Sequence, residues 1–239
     1  MSPAAAPPAP ARAGGDTAAA VERELRQAVS ADVFERLAAG FVDARRRRGL
    51  PAETDASLAE AFGGTLLLLT RVLFLLSAES RGLLPREGPY ARHGISRLRE
   101  RVAEMRVPGH PLSPQSNEVW RELLALFDLL ARGSASVGVP AYGGPFAADA
   151  PGARFLAENA VSDFFLVPAL DKLSRDAGGA WFDFAPLQPD DVAGGLEGIV
   201  GLRLAADERG KPVLVDPRGD RKASPAGPPP RWVVDFAVA

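Results

Sequence analysis

From residue 55 to residue 76 the chain carries a helical pattern with almost no polar side. Leu58, Phe62, Leu66, Leu69, Leu73 and Leu76 recur at the spacing of one helix face, and Leu67, Leu68, Val72, Phe74 and Leu75 fill the others. A helix that is apolar nearly all round must be covered by neighbours, so it is predicted to form the centre of the fold. Asp55 or Ser57 opens it; Arg81 and Gly82, followed by Leu83, Leu84 and Pro85, end it. Its longest apolar run, residues 66–76, has Arg71 near the middle and falls short of the ~20 residues that span a bilayer. No membrane partner is expected.

Other helices arrange themselves around this one. Asp16 caps a first helix whose apolar face runs through Val21, Leu25, Ala28 and Val29. After a break near residues 30–32 it continues through Val33, Phe34, Leu37 and Phe41. Arg45, Arg46, Arg47 and Arg48 suit the negative end of its dipole, and Gly49 and Pro51 stop it. A shorter helix covers residues 95–105. Ser116 or Asn117 caps another that carries Trp120, Leu123, Leu124, Phe127 and Leu130 and ends at Gly133. A turn-rich loop spans residues 137–146, and a helix within 153–176 is expected to be interrupted near Pro168. Beyond Gly178 the pattern shortens to an aromatic strand or loop at 181–184, a weak helix near 192–204 and a small strand at 213–215. The expected fold is mainly α: an irregular multi-helix domain with long Gly/Pro-rich loops and a small C-terminal strand and loop region. Its parts are a disordered tail (1–15), a helical domain (16–178), a mixed connector (179–223), and a linker with a helical start (224–239).

Composition excludes more than it assigns. There is no Cys, which removes disulfides, thiolate metal sites and cysteine nucleophiles. The formal net charge of −2 gives no general basic field. Of 28 Lys and Arg residues only Lys172, Lys211 and Lys222 are lysine, a bias that together with abundant Ala, Gly and Pro reflects a GC-rich genome. The N-terminal Ala/Pro-rich stretch has no apolar core of the secretory kind, and a soluble cytoplasmic protein is expected.

Residues that could carry chemistry are sparse. His93 and His110 lie in loops without a second ligand at helical spacing and read as surface histidines. There is no G-x-S-x-G elbow and no phosphate-binding Gly-Lys loop; Gly63 and Gly64 read as a close-packing point inside a helix. Asp216, Asp220 and Lys222 have the residue types of a metal-dependent nuclease but are crowded into one turn, so chance explains them better. Asp190 and Asp191 suit a helix start. The Arg45 to Arg48 run reads as a solvated helix end rather than a phosphate site.

Three segments carry a resemblance. The fifteen contiguous positions from Arg71 to Pro85, R-V-L-F-L-L-S-A-E-S-R-G-L-L-P, resemble a helix of type IIG restriction–modification enzymes and related phage-defence adenine-specific DNA methyltransferases. Leu126-Phe127 followed by G-V-P-A-Y-G-G-P-F (138–146), with Pro140, Tyr142 and Gly144, is similar to a loop of the same family. Arg221-Lys222-Ala-Ser, then Pro230-Arg-Trp-Val-Val-Asp-Phe236, looks like the element that leads into that family's methyltransferase domain. The resemblance implies a helical scaffold for S-adenosylmethionine-dependent methyl transfer to adenine N6, with DNA as the partner of the complete enzyme. Arg71, Glu79 and Arg81, the few polar groups of the first segment, should pair with each other or with neighbouring helices.

The departures limit what the resemblance implies. The family's cofactor-binding G-S-Y-Y-T-P loop is replaced by P-A-G-P-P-P at 225–230, and the sequence has neither a D-P-A-C-G-S-G type loop nor an N-P-P-Y type loop. A scaffold fragment, or a subunit completed by a separately encoded methyltransferase portion, is therefore expected, not catalytic alone. The alternatives are a non-enzymatic interaction module using a Trp120- or Trp232-bearing surface, and a decayed gene product.

Overall fold

The computed structural model describes residues 23, 25–27, 29–107, 111–176, 178–187 and 189–217. The described residues are mainly helical, as the sequence pattern predicts, and include one two-stranded antiparallel sheet, of which the sequence marks only the second strand. The helices are α1 (Phe34–Arg47), α2 (Asp55–Ser80), α3 (Ile95–Met105), α4 (Glu118–Arg132), α5 (Ala153–Glu158), α6 (Asp163–Ser174) and α7 (Pro189–Val200). The strands β1 (Arg203–Ala206) and β2 (Pro212–Val215) close it, with Leu204 opposite Leu214.

Helix α2 is the axis of the core. It is 26 residues long, and an 18-residue window of it reaches a mean hydropathy of 1.8, long and apolar enough to cross a membrane by length and composition. In this fold 78% of that window is buried. Helices α1, α3, α5 and α7 and strand β1 pack against α2, while α6 lies across α1, α3 and α4. Aromatic rings join the layers: Phe41 of α1 meets Trp120 of α4 edge-on at 5.6 Å between centroids and Phe155 of α5 at 5.0 Å. Trp120 is 2% exposed, so it is a core residue and supplies no partner-binding surface; Trp232 lies outside the described residues.

Close approach at Gly64 fixes how α5 sits on α2. A Cβ at this position would lie 2.3 Å from Phe155 Cδ1, inside any permissible contact, whereas one at Gly63 would meet nothing within 4 Å. Gly64 is thus the packing point and Gly63 is not.

Several boundaries differ from expectation for identifiable reasons. Thr54, not Asp55 or Ser57, caps α2, its Oγ1 accepting from the Ser57 amide at 3.2 Å. The break expected near residues 30–32 is a π-helical turn, Val29–Val33, that runs on into α1. It places Asp32 where its carboxylate accepts from Lys172 of α6 at 3.2 Å and meets Arg36 at 3.5 Å. The interruption expected at Pro168 falls at residues 159–162 instead. Asn159 turns extended (φ −126°, ψ 104°), and its Nδ2 donates to the Phe155 carbonyl at 2.9 Å. Pro168 stays inside α6, where the hydrogen bond it removes is to the carbonyl of Phe164, a residue 46% exposed. The helix expected over 192–204 stops at Val200, and Leu204 belongs to β1. The hairpin is held to α1 by the Leu214 amide donating to Glu35 Oε1 at 3.0 Å.

Replacing Gly64 with Ala should destabilise the protein by about 1–3 kcal/mol through overpacking against Phe155. Gly63→Ala should be neutral or stabilising by up to about 1 kcal/mol from helix propensity. Parallel denaturant titrations of the two variants check the contrast.

Candidate functional site

The polar side chains in the buried stretch of α2 are few, and four of them, Thr65, Thr70, Arg71 and Glu79, have specific partners. Thr65 and Thr70 turn back to their own helix, their hydroxyls donating to the Ala61 and Leu66 carbonyls at 2.7 and 2.9 Å. Arg71 and Glu79 reach outward.

Arg71 is buried, and its Nε donates to the Pro145 carbonyl at 2.6 Å. Its guanidinium lies over the rings of Phe127 (5.1 Å) and Phe146 (5.7 Å), and burial pushes its pKa down to about 10. Three residues on, Phe74 meets Tyr142 and Phe146 edge-on at 5.6 and 5.3 Å. The loop around Tyr142 is held to α4 by the Tyr142 amide donating to the Leu130 carbonyl at 2.8 Å. Gly144 takes a left-handed conformation (φ 56°) at the start of the short 3-10 turn Gly144–Phe146. Segments whose contacting residues, Arg71 and Pro145, are 74 positions apart in sequence therefore form one cluster, with Arg71 as its pin. Pro140 lies exposed at its edge.

Glu79 is 4% exposed and acts as the N-cap of a different helix. Its Oε1 accepts from the Ile95 amide at 2.7 Å and from the Tyr90 hydroxyl at 2.8 Å. Its Oε2 accepts from the Ser96 amide at 2.9 Å and the Ser96 hydroxyl at 2.5 Å. Helix α3 begins after Gly94, which has no side chain to offer, so its first amides would otherwise lack acceptors. A Cβ at Gly94 would lie 2.5 Å from Glu79 Oε1; the glycine makes room for the carboxylate. The Tyr90 phenol is pushed up by burial and by the adjacent carboxylate, which keeps it protonated as a donor.

Arg81 and Gly82 serve the end of α2. The Leu83 amide donates to Ala78 O at 2.8 Å and the Gly82 amide to Glu79 O at 3.1 Å, with Gly82 at φ 71°. This is a Schellman ending, and it requires the glycine. Arg81 is exposed and does not pair with Arg71 or Glu79 among the described residues; Pro85 is half-buried. Arg221 and Lys222 lie outside the described residues, as does the 225–230 stretch, so no residue is assigned to S-adenosylmethionine. Asp220 and His110 are outside them too. Among the described residues no group of three His, Asp or Glu side chains is placed to hold a metal ion.

Three functional-looking groups were not apparent in the sequence. Asp163, 1% exposed, caps α4 from α6: its Oδ1 accepts from the Val119 amide at 3.1 Å, and its Oδ2 from the Glu118 amide at 3.3 Å and the Ser116 hydroxyl. Arg99 of α3 donates to the Ser174 and Phe182 carbonyls at 2.9 and 3.3 Å and lies 4.7 Å over Trp181. Tyr90 stood within a Gly/Pro-rich stretch without periodic neighbours.

The Arg45 to Arg48 run closes α1 with Arg46, Arg47 and Arg48 exposed, as the sequence suggests, and each guanidinium also reaches a separate segment at the surface. Arg45 donates to the Pro51 carbonyl at 2.7 Å and pairs with Glu60 at 2.8 Å. Arg46 holds Glu53 and the Gly210 carbonyl, Arg47 holds Asp43 and the Pro114 carbonyl, and Arg48 holds the Glu158 carbonyl.

An open groove of about 630 Å³ lies between α3 and α4. Arg92, His93, Arg97 and Arg101 stand on its basic side, Glu122 opposes them, and Leu98 and Leu126 lie on its floor. No protein-family model, curated protein or solved structure matches the chain.

Arg71→Met keeps most of the apolar bulk but leaves the Pro145 carbonyl without its donor, and should destabilise by about 1–3 kcal/mol in denaturant titration. Tyr90 gives a pH signature. Its folded pKa lies above its unfolded value of about 10, so its contribution is complete below pH ~10 and lost as pH rises beyond that. Tyr90→Phe should remove this part of the alkaline loss of stability, read from thermal melts across that range.

Proposed function

We propose that the chain is the helical scaffold of an S-adenosylmethionine-dependent adenine-N6 DNA methyltransferase of the restriction–modification or phage-defence type. In this reading a separate methyltransferase portion carries methyl transfer, and these residues shape the surface that meets DNA. The observation that supports it most is the Arg71 cluster. Two segments that resemble the family, 71–85 and 138–146, meet in space through Arg71, Phe74, Tyr142 and Pro145. Chance likenesses scattered along a chain have no reason to share one hydrogen bond and one ring cluster. Two other distinctive residues of the first segment also have defined roles: Glu79 caps α3 and Gly82 ends α2.

Two measurements test this. Calorimetric titration of the chain with S-adenosylmethionine should give no binding heat; measurable affinity would move the cofactor site into this chain. Fluorescence anisotropy with a mixed-sequence duplex should show binding that weakens steeply with salt and depends little on sequence. Absence of binding even at about 50 mM salt would overturn the DNA scaffold reading.

A further inference from the structure

At the groove between α3 and α4 stand two basic side chains, Arg92 and His93, that the fold itself does not use. Arg92 and His93 are exposed, and neither side chain has a hydrogen bond or ion pair among the described residues. That sets them apart from the Arg45 to Arg48 run, where every guanidinium is occupied by the protein. Their presentation is nonetheless fixed. They end the short 3-10 turn Tyr90–Arg92, whose Tyr90 carbonyl accepts from the His93 and Gly94 amides at 2.8 and 3.0 Å. The Tyr90 hydroxyl is in turn anchored on Glu79.

We propose that this groove holds the phosphodiester backbone of duplex DNA, with Arg92 and His93 as phosphate donors and Arg97 and Arg101 joining them. This rests on the DNA scaffold reading and names the surface that serves it. Arg97 and Arg101 are one helical turn apart, about 6 Å along α3, and project along the same face. Arg97 pairs with Glu100 at 3.0 Å and Glu104 at 3.8 Å, and Arg101 pairs with Glu118 at 2.7 Å and with Glu122. These are exposed or half-exposed ion pairs, the kind that contribute little, so exchanging a carboxylate for a phosphate costs little. A guanidinium fork also matches phosphate oxygens in two-point fashion. The apolar lining suits the same ligand, since Ala125, Leu129 and Val137 offer accessible surface to the C–H edge of a deoxyribose while the rim takes the charge. Among the described residues Glu122 is the one carboxylate lining the groove, and it both opposes a polyanion and occupies Arg101.

Anisotropy of a labelled mixed-sequence duplex against the full chain, repeated over a salt series, tests the assignment. The double variant Arg92→Ala, His93→Ala should weaken binding by about threefold to tenfold for each phosphate donor removed and reduce the log–log salt slope by about 1–2. Glu122→Gln should tighten binding, a gain that misfolding cannot produce. Arg154→Ala, an exposed arginine on α5, should leave affinity unchanged. If the wild type binds duplex but the Arg92/His93 and Glu122 variants match it, the groove assignment fails and the scaffold reading stands; the groove would then suit an acidic protein segment instead. If the wild type binds no duplex, both fail.

Discussion

The carboxylate of Glu79 is the contact on which the arrangement of α2, α3 and the segment between them depends. A charge taken out of water is tolerated only when its oxygens are fully engaged, and both of these are, by two backbone amides and two hydroxyls. The same four bonds satisfy a helix start that has only glycine before it. Removing either side leaves the other stranded, so the carboxylate and the α3 start specify each other. The Schellman turn at Gly82 then sends the chain away from α2, and Tyr90 brings it back to the same carboxylate.

The same solution recurs across the molecule. Asp163 caps α4 from α6 as Glu79 caps α3 from α2. Arg71 pins the 140–146 loop to α2, and Arg99 pins the 174–184 segment to α3. Long loops between helices cannot bury enough apolar surface to hold themselves, and here single buried charges bind their backbone to the helical core. The four arginines at the end of α1 do this at the surface, each on a different segment. Such a fold uses many of its arginines to tie segments together, and Arg92 and His93 are distinguished by lying side by side on one groove.

What was legible in the sequence followed from periodicity and local punctuation. Local signals marked α2 as central, the Gly63–Gly64 pair as a packing point and 95–105 as a helix, although only Gly64 of the pair is in close contact. What was not legible involved partners distant in sequence. Ser116 and Asn117 look like caps for α4, but the cap is Asp163, 45 positions away from Glu118. Pro168 looks like a helix breaker, but the chain breaks at Asn159, whose own side chain satisfies the Phe155 carbonyl. Four consecutive arginines read as an exposed helix end, and the separate segments they reach lie too far along the chain to be read from the run. For the site, the resemblance pointed to Arg71, Glu79 and Gly82 without saying what they do, and Tyr90 and Gly94 acquire meaning only beside Glu79.

Amide hydrogen exchange on Glu79→Gln, resolved to individual residues, tests most directly whether this carboxylate organises the region. Glutamine offers one carbonyl oxygen where glutamate offers two, so the Ile95 and Ser96 amides cannot both keep their acceptor. Exchange at Ile95, at Ser96 and through residues 90–98 should accelerate, while α1 and α4 keep wild-type protection. Unchanged protection at the α3 start, or an equal loss across all helices, would contradict the account.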